Sequence, residues 1–271
     1  MISGSTTREV SIDRARGIVV KKFRSGDRDE PAREWAGLTL LARHAPGLAP
    51  APVRADLDAA PATIEMTWLP GTELSGQSLT SAQTQALAAA LNRLWSSVPS
   101  PQGYPATAPN AGRLTAKVQS MLTAGFEMGD DPAVARAYAT ATAWLDSGAL
   151  EHPHPGNGTV LGQGDPCLAN FIWDGTQIRI VDFEDSGPSE RAFELAILTE
   201  HIAAWSDASL NAEDFLALFD LPGAEAARVH AFRCLAALFW LILLRPGGPS
   251  SDRNPPGTLQ RQAARLLALL S

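Results

Sequence analysis

The sequence predicts an α+β protein with a small β-rich region at its N-terminus and a mainly helical part after it. Two observations favour this class. Before residue 70, apolar and polar residues alternate in short segments, which is the period of a half-buried strand. After Pro70 the composition shifts to Ala, Leu, Ser and Thr, and apolar residues recur at helical spacing. We therefore expect two domains, at residues 1–69 and 70–271.

The bulk composition excludes several classes of function. The 271 residues are 45% hydrophobic, which is enough for one large domain or two lobes. A net charge of -7 without a basic stripe argues against a nucleic-acid partner. Two cysteines in dissimilar surroundings, and an N-terminus without a basic-then-apolar pattern, predict a cytoplasmic protein. The longest apolar run, residues 234–244, is too short to span a bilayer, so we expect a buried helix and no membrane partner; the oligomeric state stays open.

The first segments predict a small sheet that carries two adjacent lysines. Val10 and Ile12 alternate with polar neighbours, and a turn leads to a second strand at residues 18–23. Lys21 and Lys22 point to opposite faces of this strand, because side chains alternate along it. We favour Lys21 as the lysine that points into a cleft, since it directly follows three apolar residues.

The next segment predicts a helix at residues 29–43, with Pro31 in its first turn. Its apolar stripe consists of Trp35, Leu38, Leu41 and Ala42. Glu34 lies about one turn into this helix. Because a buried lysine needs an acidic partner, Glu34 is the candidate partner of Lys21.

A third strand is predicted at residues 63–69, where apolar and polar residues alternate until Pro70 breaks the pattern. Residues 49–52, Ala-Pro-Ala-Pro, form an extended connector before it. The helical part begins with an amphipathic helix at residues 81–98, followed by a Pro-rich linker at residues 99–109. Further helices are predicted at residues 113–128, 132–147, 191–205, 211–218, 224–244 and 259–270.

One polar stretch carries the candidate chemistry. Residues 160–194 read VLGQGDPCLANFIWDGTQIRIVDFEDSGPSERAFE. An apolar pair precedes a tight turn that holds Asp165, and Asn170 follows after four intervening residues. Two short alternating segments, FIW and IRIV, are joined by an Asp-Gly turn, which is a strong hairpin signal. Asp182 follows the second strand, so the hairpin can bring two carboxylates and one carboxamide to one end of a small sheet.

Two carboxylates and an amide in this order suit phosphoryl transfer. One carboxylate can accept the proton of an attacking hydroxyl group. The other can hold Mg²⁺ together with an amide oxygen, because this hard cation prefers oxygen ligands. Asp165 and Asn170 match the spacing of a kinase catalytic loop, and Asp182 matches the metal-binding aspartate of the loop that follows.

The motifs GDPCLAN and IVDFED resemble the aminoglycoside phosphotransferase family, whose loop usually reads His-Gly-Asp-x-x-x-x-Asn. Gly164 and the run Asp182-Phe183-Glu184 separate the chain from protein kinases, which have Arg in place of the Gly and Asp-Phe-Gly at the metal loop. Gln163 stands where the family has His. In kinase-like folds that His bonds the loop backbone, and a glutamine offers both a donor and an acceptor for the same bonds.

This resemblance implies a bilobal protein-kinase-like fold, with a β-rich N-lobe and a helical C-lobe. It also implies transfer of the γ-phosphoryl group of ATP or GTP to a hydroxyl group of a small molecule. Asp165 is then the catalytic base, and Asn170 and Asp182 hold Mg²⁺. Lys21, positioned by Glu34, contacts the α- and β-phosphates.

The remaining nucleotide contacts are also implied by the resemblance. Small residues let the backbone approach phosphates closely. The residues at the position of the family's phosphate-covering loop are Gly4, Ser5 and Thr6. The predicted strand at residues 63–69 corresponds to the hinge between the lobes. Its assigned adenine contacts are Met66, which backs the pocket, and Thr67 and Leu69, which offer backbone groups.

The segment after the metal loop predicts the charge of the acceptor. From residue 182 to residue 220 there are ten acidic residues, and Arg191 is the only Lys or Arg. Clustered carboxylates in a cleft attract cations, and the family uses acids in these helices to bind the ammonium groups of aminoglycosides. We therefore expect a cationic acceptor, in the first place an antibiotic. The candidate contacts are Glu184, Asp185, Glu190 and Glu194.

Two other functions stay open. The fold also serves choline, homoserine and sugar kinases, and fold alone does not determine the substrate. A catalytically silent nucleotide-binding protein is the second alternative, supported by Gln163 and the short N-terminal region. The intact carboxylates favour an enzyme. For any single acid after Asp182, a solvated helix face or a cap is the ordinary explanation.

Overall fold

The structure, a computed structural model of the chain, describes residues 8–24, 29–99, 104, 110–150, 158–206 and 210–271. The chain folds as two compact units. The first comprises Met1–Pro109 and Gly158–Arg191, and the second comprises Asn110–Asn157 and Ala192–Ser271. The expected domain boundary between residues 69 and 70 stays a prediction. The loop residues Gly4, Ser5 and Thr6 lie outside the described residues.

A four-stranded antiparallel sheet forms the N-terminal part of the first unit. Its strands are β1 (Arg8–Asp13), β2 (Ile18–Phe23), β3 (Pro52–Asp56) and β4 (Ala62–Thr67), in the spatial order β1-β2-β4-β3. Strands β1, β2 and β4 confirm the predicted sheet, although β4 ends before residue 69. Strand β3 was not predicted, because most of its side chains are exposed and no apolar alternation marks it.

Helix α1 (Asp29–His44) confirms the predicted helix and packs against β3 and β4. Acidic residues in its first turn and basic residues in its last turn match the helix dipole. Leu38 and Leu41 are buried as predicted, but Arg33 and Glu34 are buried as well. Buried charged side chains need partners, so this helix face belongs to a polar site as well as to the core.

A three-stranded sheet contains the predicted hairpin. Strands β7 (Phe171–Trp173) and β8 (Ile178–Ile180) pair in antiparallel fashion, and β5 (Thr72–Glu73) adds a strand beside β7. The carboxylate of Asp174 accepts hydrogen bonds from the backbone N–H groups two and three residues later, at 2.9 and 3.0 Å. These bonds fix the predicted turn. Strand β5 was not predicted, because two residues are too few to show a period.

A two-stranded sheet brings the two ends of the polar stretch together. Strand β6 (Val160–Gly162) pairs with β9 (Gly187–Ser189), and Gly162 lies opposite Gly187. A 3₁₀ turn, Leu168–Asn170, leads into β7. Because β6 ends shortly before Asp165 and β9 begins shortly after Asp182, this pairing holds both aspartate loops at one end of the small sheet.

Helix α2 (Ser81–Ser97) completes the first unit and packs against β6 and β8. Thr80 and Gln83 form a capping box at its N-terminus. Its inner face carries leucines, of which Leu87 and Leu94 are fully buried.

The described part of the second unit is helical. Its helices are α3 (Ala111–Ala124), α4 (Pro132–Asp146), α5 (Arg191–Glu200), α6 (Ile202–Ser206), α7 (Ala212–Leu216), α8 (Gly223–Leu243) and α9 (Thr258–Leu269). Two predicted bounds were wrong. Helix α3 ends at Ala124, before the predicted residue 128, because Gly125 adopts a φ of 71° and ends the helix. The predicted helix at residues 191–205 breaks at His201, whose Nδ1 accepts a hydrogen bond from Ala203 N at 3.2 Å.

Helix α8 is the core helix of the second unit and packs against α3, α4 and α9. By length and composition it is apolar enough to cross a membrane, but 61% of its apolar window is buried within the structure. The apolar run at residues 234–244 is therefore buried, as predicted. It is part of a longer helix of 21 residues, so its length alone was a poor argument against a membrane span.

A buried ion-pair network joins α5, α8 and α9. Arg233 Nε donates a hydrogen bond to Glu200 Oε1 at 2.8 Å, and Arg265 Nη2 donates to Glu200 Oε2 at 2.9 Å. Glu200 is fully buried. Two arginines thus satisfy both oxygens of a carboxylate that lies away from water.

Candidate active site

One side chain joins the two aspartate loops of the first unit. Gln163 Nε2 donates hydrogen bonds to the carbonyl oxygens of Asp182 at 2.8 Å and Val181 at 3.3 Å. Gln163 Oε1 accepts a hydrogen bond from Asp165 N at 2.8 Å. The side chain is only 2% exposed, so these bonds are shielded from water. The predicted scaffold role of Gln163 is confirmed.

Gly164 holds the same two loops at close range. Its φ is 83°, in the left-handed region that other residues adopt with strain. A Cβ at this position would overlap the carbonyl group of Asp185 and lie 2.7 Å from its carbon atom. The Gly of the motif is therefore required by both the backbone conformation and the approach of the second loop.

Asp165 and Asn170 are bonded to each other. Asn170 Nδ2 donates to Asp165 Oδ2 at 3.1 Å and to the carbonyl oxygen of Asp165 at 3.0 Å. The backbone N–H of Cys167 donates to Asp165 Oδ1 at 3.3 Å. Asp165 is partly exposed, whereas Asn170 is buried. The loop therefore orients a carboxylate that solvent-borne molecules can reach.

Lys21 is the centre of a buried charged cluster. Its side chain is 6% exposed, and its Nζ lies 3.1 Å from Glu34 Oε2 and 2.7 Å from Glu184 Oε2. The same ammonium forms a short ion pair with Asp182 Oδ1. The predicted pairing of Lys21 with Glu34 is confirmed, and Lys21 rather than Lys22 is the buried lysine.

The carboxylates around Lys21 form an oxygen-rich group. Glu34, Asp182 and Glu184 each place a carboxylate oxygen within 4.8 Å of the other two. Glu34 is fully buried; burial raises the pKa of its carboxyl, the Lys21 ammonium opposes this rise, and Asp182 adds to it. Within the described part of the chain, Glu34 Oε1 has no hydrogen-bond partner. Glu184 Oε2 lies within ion-pair distance of Lys21 but makes no hydrogen bond of good geometry.

Arg8, which the motifs did not reveal, belongs to this cluster as well. Its Nη1 lies 3.7 Å from Asp182 Oδ2, and its Nη2 forms a close ion pair with Glu184 Oε1. In the sequence, only the position of Arg8 at the start of β1 could have indicated that it belongs to this cluster. In the register of the sheet, Lys21 lies opposite Val10, so Arg8, two residues before Val10, points to the same sheet face as Lys21.

The loop that carries Asp182 has an unusual backbone conformation. Asp182 adopts a φ of 64°, and it is the one non-glycine residue with positive φ in the described part of the chain. Such a conformation costs of order 1–3 kcal/mol and persists only where the surroundings impose it. The bond from Gln163 to the carbonyl oxygen of Asp182 and the burial of Phe183 are two such constraints.

Helix α1 is attached to the loop of Asp182 by a second set of contacts. Arg33 Nε donates to the carbonyl oxygen of Glu184, and Arg33 Nη2 lies 3.7 Å from Asp185 Oδ1. The Tyr104 hydroxyl donates to Arg33 O at 3.1 Å and lies 2.6 Å from Ser186 Oγ. Burial raises the pKa of Tyr104, so its hydroxyl stays protonated and can donate. None of these contacts was predicted, because they join segments far apart in the sequence.

The predicted adenine contacts lie at the end of β4. Met66 is buried, as a residue that backs a pocket would be. The N–H of Thr67 bonds the carbonyl oxygen of Ala51 at 3.0 Å, so only its carbonyl group could serve a base. Within the described residues, the N–H of Leu69 forms no hydrogen bond.

The four acids expected to contact an acceptor have different surroundings. The Glu184 side chain is 2% exposed and paired with Arg8 and Lys21. The Asp185 side chain is 33% exposed; burial and the nearby Asp165 raise its pKa. Glu190 is partly exposed, and Glu194, in the second unit, is buried. For all four acids the acceptor contact stays a prediction.

The family follows from a sequence comparison. The model of the phosphotransferase enzyme family matches residues 3–232, which is most of the chain and includes both aspartate loops. The chain belongs to this family. The protein is therefore a phosphotransferase, as predicted. No curated protein matches the sequence significantly.

Solved structures confirm the kinase-like α+β fold of the phosphotransferase. A choline/ethanolamine kinase family protein from Mesorhizobium loti superposes with a TM-score of 0.67, covering 99% of this chain and 86% of that one, at 18% identity. Choline kinase LicA from Streptococcus pneumoniae gives 0.62, with 99% and 91% covered at 14% identity. A spectinomycin phosphotransferase, solved with ADP and spectinomycin, gives 0.61, with 99% and 87% covered at 12% identity. At these identities the likeness establishes the fold alone.

Proposed function

We propose that this phosphotransferase moves the γ-phosphoryl group of ATP or GTP, in the presence of Mg²⁺, to a hydroxyl group of a small cationic molecule. The observation that carries the proposal is the set of hydrogen bonds from Gln163. They hold the loop of Asp165 and the loop of Asp182 in one fixed relation. Phosphoryl transfer depends mostly on such positioning.

Asp165 is the proposed catalytic base. Its carboxylate is partly exposed, and the bonds from Asn170 and from the backbone of Cys167 orient it. The amide of Asn170 directs its donor to Asp165, which leaves its oxygen for a cation. The carboxylate of Asp165 would take the proton of the acceptor hydroxyl as that oxygen attacks phosphorus.

The donors near Asp182 fit Mg²⁺. The possible ligand atoms are all carboxylate oxygens, and the carboxylates of the cluster outnumber its positively charged side chains. Glu34 Oε1 has no partner within the described residues. Asn170 and Asp182 would hold the ion, as predicted from the motif. When bound, Mg²⁺ neutralises charge on the phosphate oxygens. Lys21, fixed by Glu34, would contact the same phosphates.

The nucleotide assignment is supported by the contacts at β4. The carbonyl of Thr67 and the N–H of Leu69 would bond adenine, and Met66 would back the ring. Residues 4–6 would cover the phosphates. The spectinomycin phosphotransferase, which shares the fold, was solved with ADP.

Calorimetry of nucleotide binding tests the metal assignment. Asp182→Ala should abolish the gain in ADP affinity that Mg²⁺ confers on the wild-type protein. Asn170→Ala should reduce that gain less, because the amide brings no charge. Titrations with chelator in place of Mg²⁺ are the control. An Asp182→Ala protein that keeps the full Mg²⁺ effect contradicts the metal role.

Two acceptor classes fit the acidic segment. An aminoglycoside-like antibiotic is the first, which would make the protein a resistance kinase. A choline-type metabolic acceptor is the second, and it is favoured by the two choline kinase structures that share the fold. Both classes carry positively charged nitrogen, so both agree with the excess of acids after Asp182.

An acceptor screen separates these functions. Purified protein with MgATP or MgGTP is offered aminoglycosides, spectinomycin, choline and ethanolamine, with homoserine and neutral sugars as comparison acceptors. Phosphorylated product is identified by mass spectrometry. We expect a cationic acceptor whose KM rises with added salt, since screening lengths shorten to about 8 Å at physiological ionic strength. A neutral best acceptor would contradict the proposed charge, and nucleotide binding without any turnover would favour the silent nucleotide-binding alternative.

We also propose a cytoplasmic location, where nucleoside triphosphates are available. Cys167 and Cys234 are both free thiols in the structure, which agrees with a reducing compartment.

A further inference from the structure

Arg8 lies against two of the carboxylates that could hold a metal ion. Its guanidinium pairs with Glu184 Oε1 and lies 3.7 Å from Asp182 Oδ2, whereas the ammonium of Lys21 contacts the other oxygen of each acid. The side chain is 31% exposed, so it reaches the cluster from the solvent side. Arg8 Nε is buried without a hydrogen-bond partner among the described residues. The guanidinium is thus only partly satisfied by this arrangement.

The charges of the cluster explain why this position matters. Arg8 and Lys21 carry two positive charges, and Glu34, Asp182 and Glu184 carry three negative charges when ionised. The cluster therefore has a net charge near −1. A divalent cation added beside Arg8 would reverse this sign at short range, and repulsion between the two cations would oppose binding. When Arg8 moves away from the carboxylates, the negative charge left on the cluster matches the positive charge of a divalent cation.

A phosphate group is the natural second partner for Arg8. A guanidinium matches two phosphate oxygens with parallel hydrogen bonds, and it does so better than a lysine ammonium. Arg8 begins β1 directly after the segment expected to cover the phosphates. It also points to the same sheet face as Lys21, the residue expected to contact them.

We propose that Arg8 exchanges partners when nucleotide binds. In the nucleotide-free enzyme Arg8 pairs with Glu184 and Asp182 and competes with the metal ion. In the nucleotide-bound enzyme it pairs with a phosphate of the nucleotide and leaves the carboxylates to the metal. This inference rests on the proposed function, because it needs a metal-dependent nucleotide site. It makes Arg8 a positioning residue that couples metal and nucleotide binding.

Two binding constants with opposite expected changes test the exchange. Mn²⁺ binding without nucleotide is measured by water proton relaxation, and ADP binding in saturating Mg²⁺ is measured by calorimetry. In Arg8→Gln, Mn²⁺ should bind several-fold tighter, since its competitor is gone. ADP should bind roughly tenfold or more weakly, the loss expected for a charge-assisted bond to phosphate. Arg8→Lys should change both constants less, because it keeps the charge and loses the paired hydrogen bonds.

A matched control comes from the residue that follows β2. Arg24→Gln removes one arginine whose ion pair with Glu9 is exposed, so both constants should stay at wild-type values. Thermal unfolding of each variant shows whether it is folded. If Arg8→Gln unfolds, Arg8→Lys carries the test through the same two constants.

Every other combination of changes in the two binding constants contradicts the proposed exchange of partners. If both ligands bind more weakly, Arg8 has a structural role; if both bind tighter, it only blocks the site; if neither changes, its pairing has no consequence. Failure of the proposed function looks different, because then the wild-type protein itself binds no MgADP. The wild-type protein could bind MgADP and phosphorylate an acceptor while both binding constants of Arg8→Gln equal those of the wild type. That result disproves the exchange of partners and leaves the proposed function intact.

Discussion

Gly164 lies directly against the carbonyl group of Asp185, so that a Cβ at position 164 would lie 2.7 Å from the carbonyl carbon. This contact packs the loop that carries Asp165 against the loop that carries Asp182 with no space for a methyl group. Together with the bonds from Gln163, it makes the two loops one rigid element of the first unit. The proposed base and the proposed metal ligand therefore depend on a glycine that performs no chemistry.

Gly164→Ala should disrupt this element. The added methyl group would force the two loops apart, and the positive φ alone costs about 1–2 kcal/mol for an alanine. We expect a loss of stability greater than 2 kcal/mol and a fall in turnover of at least about a hundredfold. Gly76→Ala is the control: its φ of 70° is similar, but nothing lies within 4 Å of its added Cβ. Equal effects of the two changes in denaturant titrations and in kinetics would show that the packing contact is unimportant.

Changes at Gln163 should follow its hydrogen bonds. Gln163→His keeps a donor and an acceptor, and turnover should stay within about tenfold, which is 1.4 kcal/mol of barrier. Gln163→Leu leaves Asp165 N and Asp182 O without their partner, at about 1–3 kcal/mol for each buried group. Its free energy of unfolding should fall accordingly, with a larger loss of turnover than in the histidine variant. If leucine is tolerated as well as histidine, the bonds do not hold the loops together.

Asp165→Asn should remove the base and keep the shape of the loop. The amide can still accept a hydrogen bond from Asn170, so the loop should stay folded. Turnover should fall by two or more orders of magnitude, and MgADP affinity should change little. Asp174→Asn, in the exposed turn of the neighbouring hairpin, should have near-normal turnover. Near-normal turnover of Asp165→Asn, with chemistry rate-limiting, would rule out this base.

The stability of the second unit should depend on the buried pair of Arg233 and Glu200. Arg233→Met leaves one oxygen of a fully buried carboxylate without its partner, which typically costs about 3–5 kcal/mol. Arg253→Met changes an exposed arginine and should be nearly neutral. Chemical denaturation of both variants gives the comparison. A loss below about 1 kcal/mol for Arg233→Met would mean that water or Arg265 replaces the lost partner.

Cys234 should contribute to stability in a pH-dependent way. Burial, reinforced by the negative charge of Glu200, raises the pKa of its thiol to about 12. An unfolded thiol has a pKa of about 8.5. The contribution is therefore complete below pH 8.5 and is lost as the pH rises toward 12, because the folded state cannot easily ionise this group. The stability difference between wild type and Cys234→Ala, measured from pH 7 to 11, should shrink with rising pH; a constant difference would show that the thiol ionises freely.

Local patterns in the sequence were sufficient for most secondary structure. Helix α1, helix α2 and the β7–β8 hairpin were predicted within one or two residues, because their apolar period and turn residues lie within each segment. Strands β3, β5, β6 and β9 were missed. They are short or exposed, and they exist because another strand offers hydrogen bonds to them. Their pairing is a property of the folded chain.

The same distinction holds for the candidate site. The spacing of Asp165, Asn170 and Asp182 indicated a phosphotransferase, and the family match confirmed it. The scaffold role of Gln163 and the pairing of Lys21 with Glu34 were also predicted, since the donors and acceptors of each residue restrict its partners. The burial of Glu184 was not predicted. Its charge was visible in the sequence, but its exclusion from solvent was not.

The sequence by itself determined the α+β class, the family and the residue types that the reaction needs, because these depend on periodicity and on spacing along the chain. Only the tertiary structure decided which charges meet. Arg8, Lys21, Glu34 and Glu184 come from β1, β2, α1 and the loop after β8, and the contact of Lys21 with Asp182 spans 161 positions. Ion pairs of this kind depend on burial and on distance in space, and neither is encoded in the local order of residues.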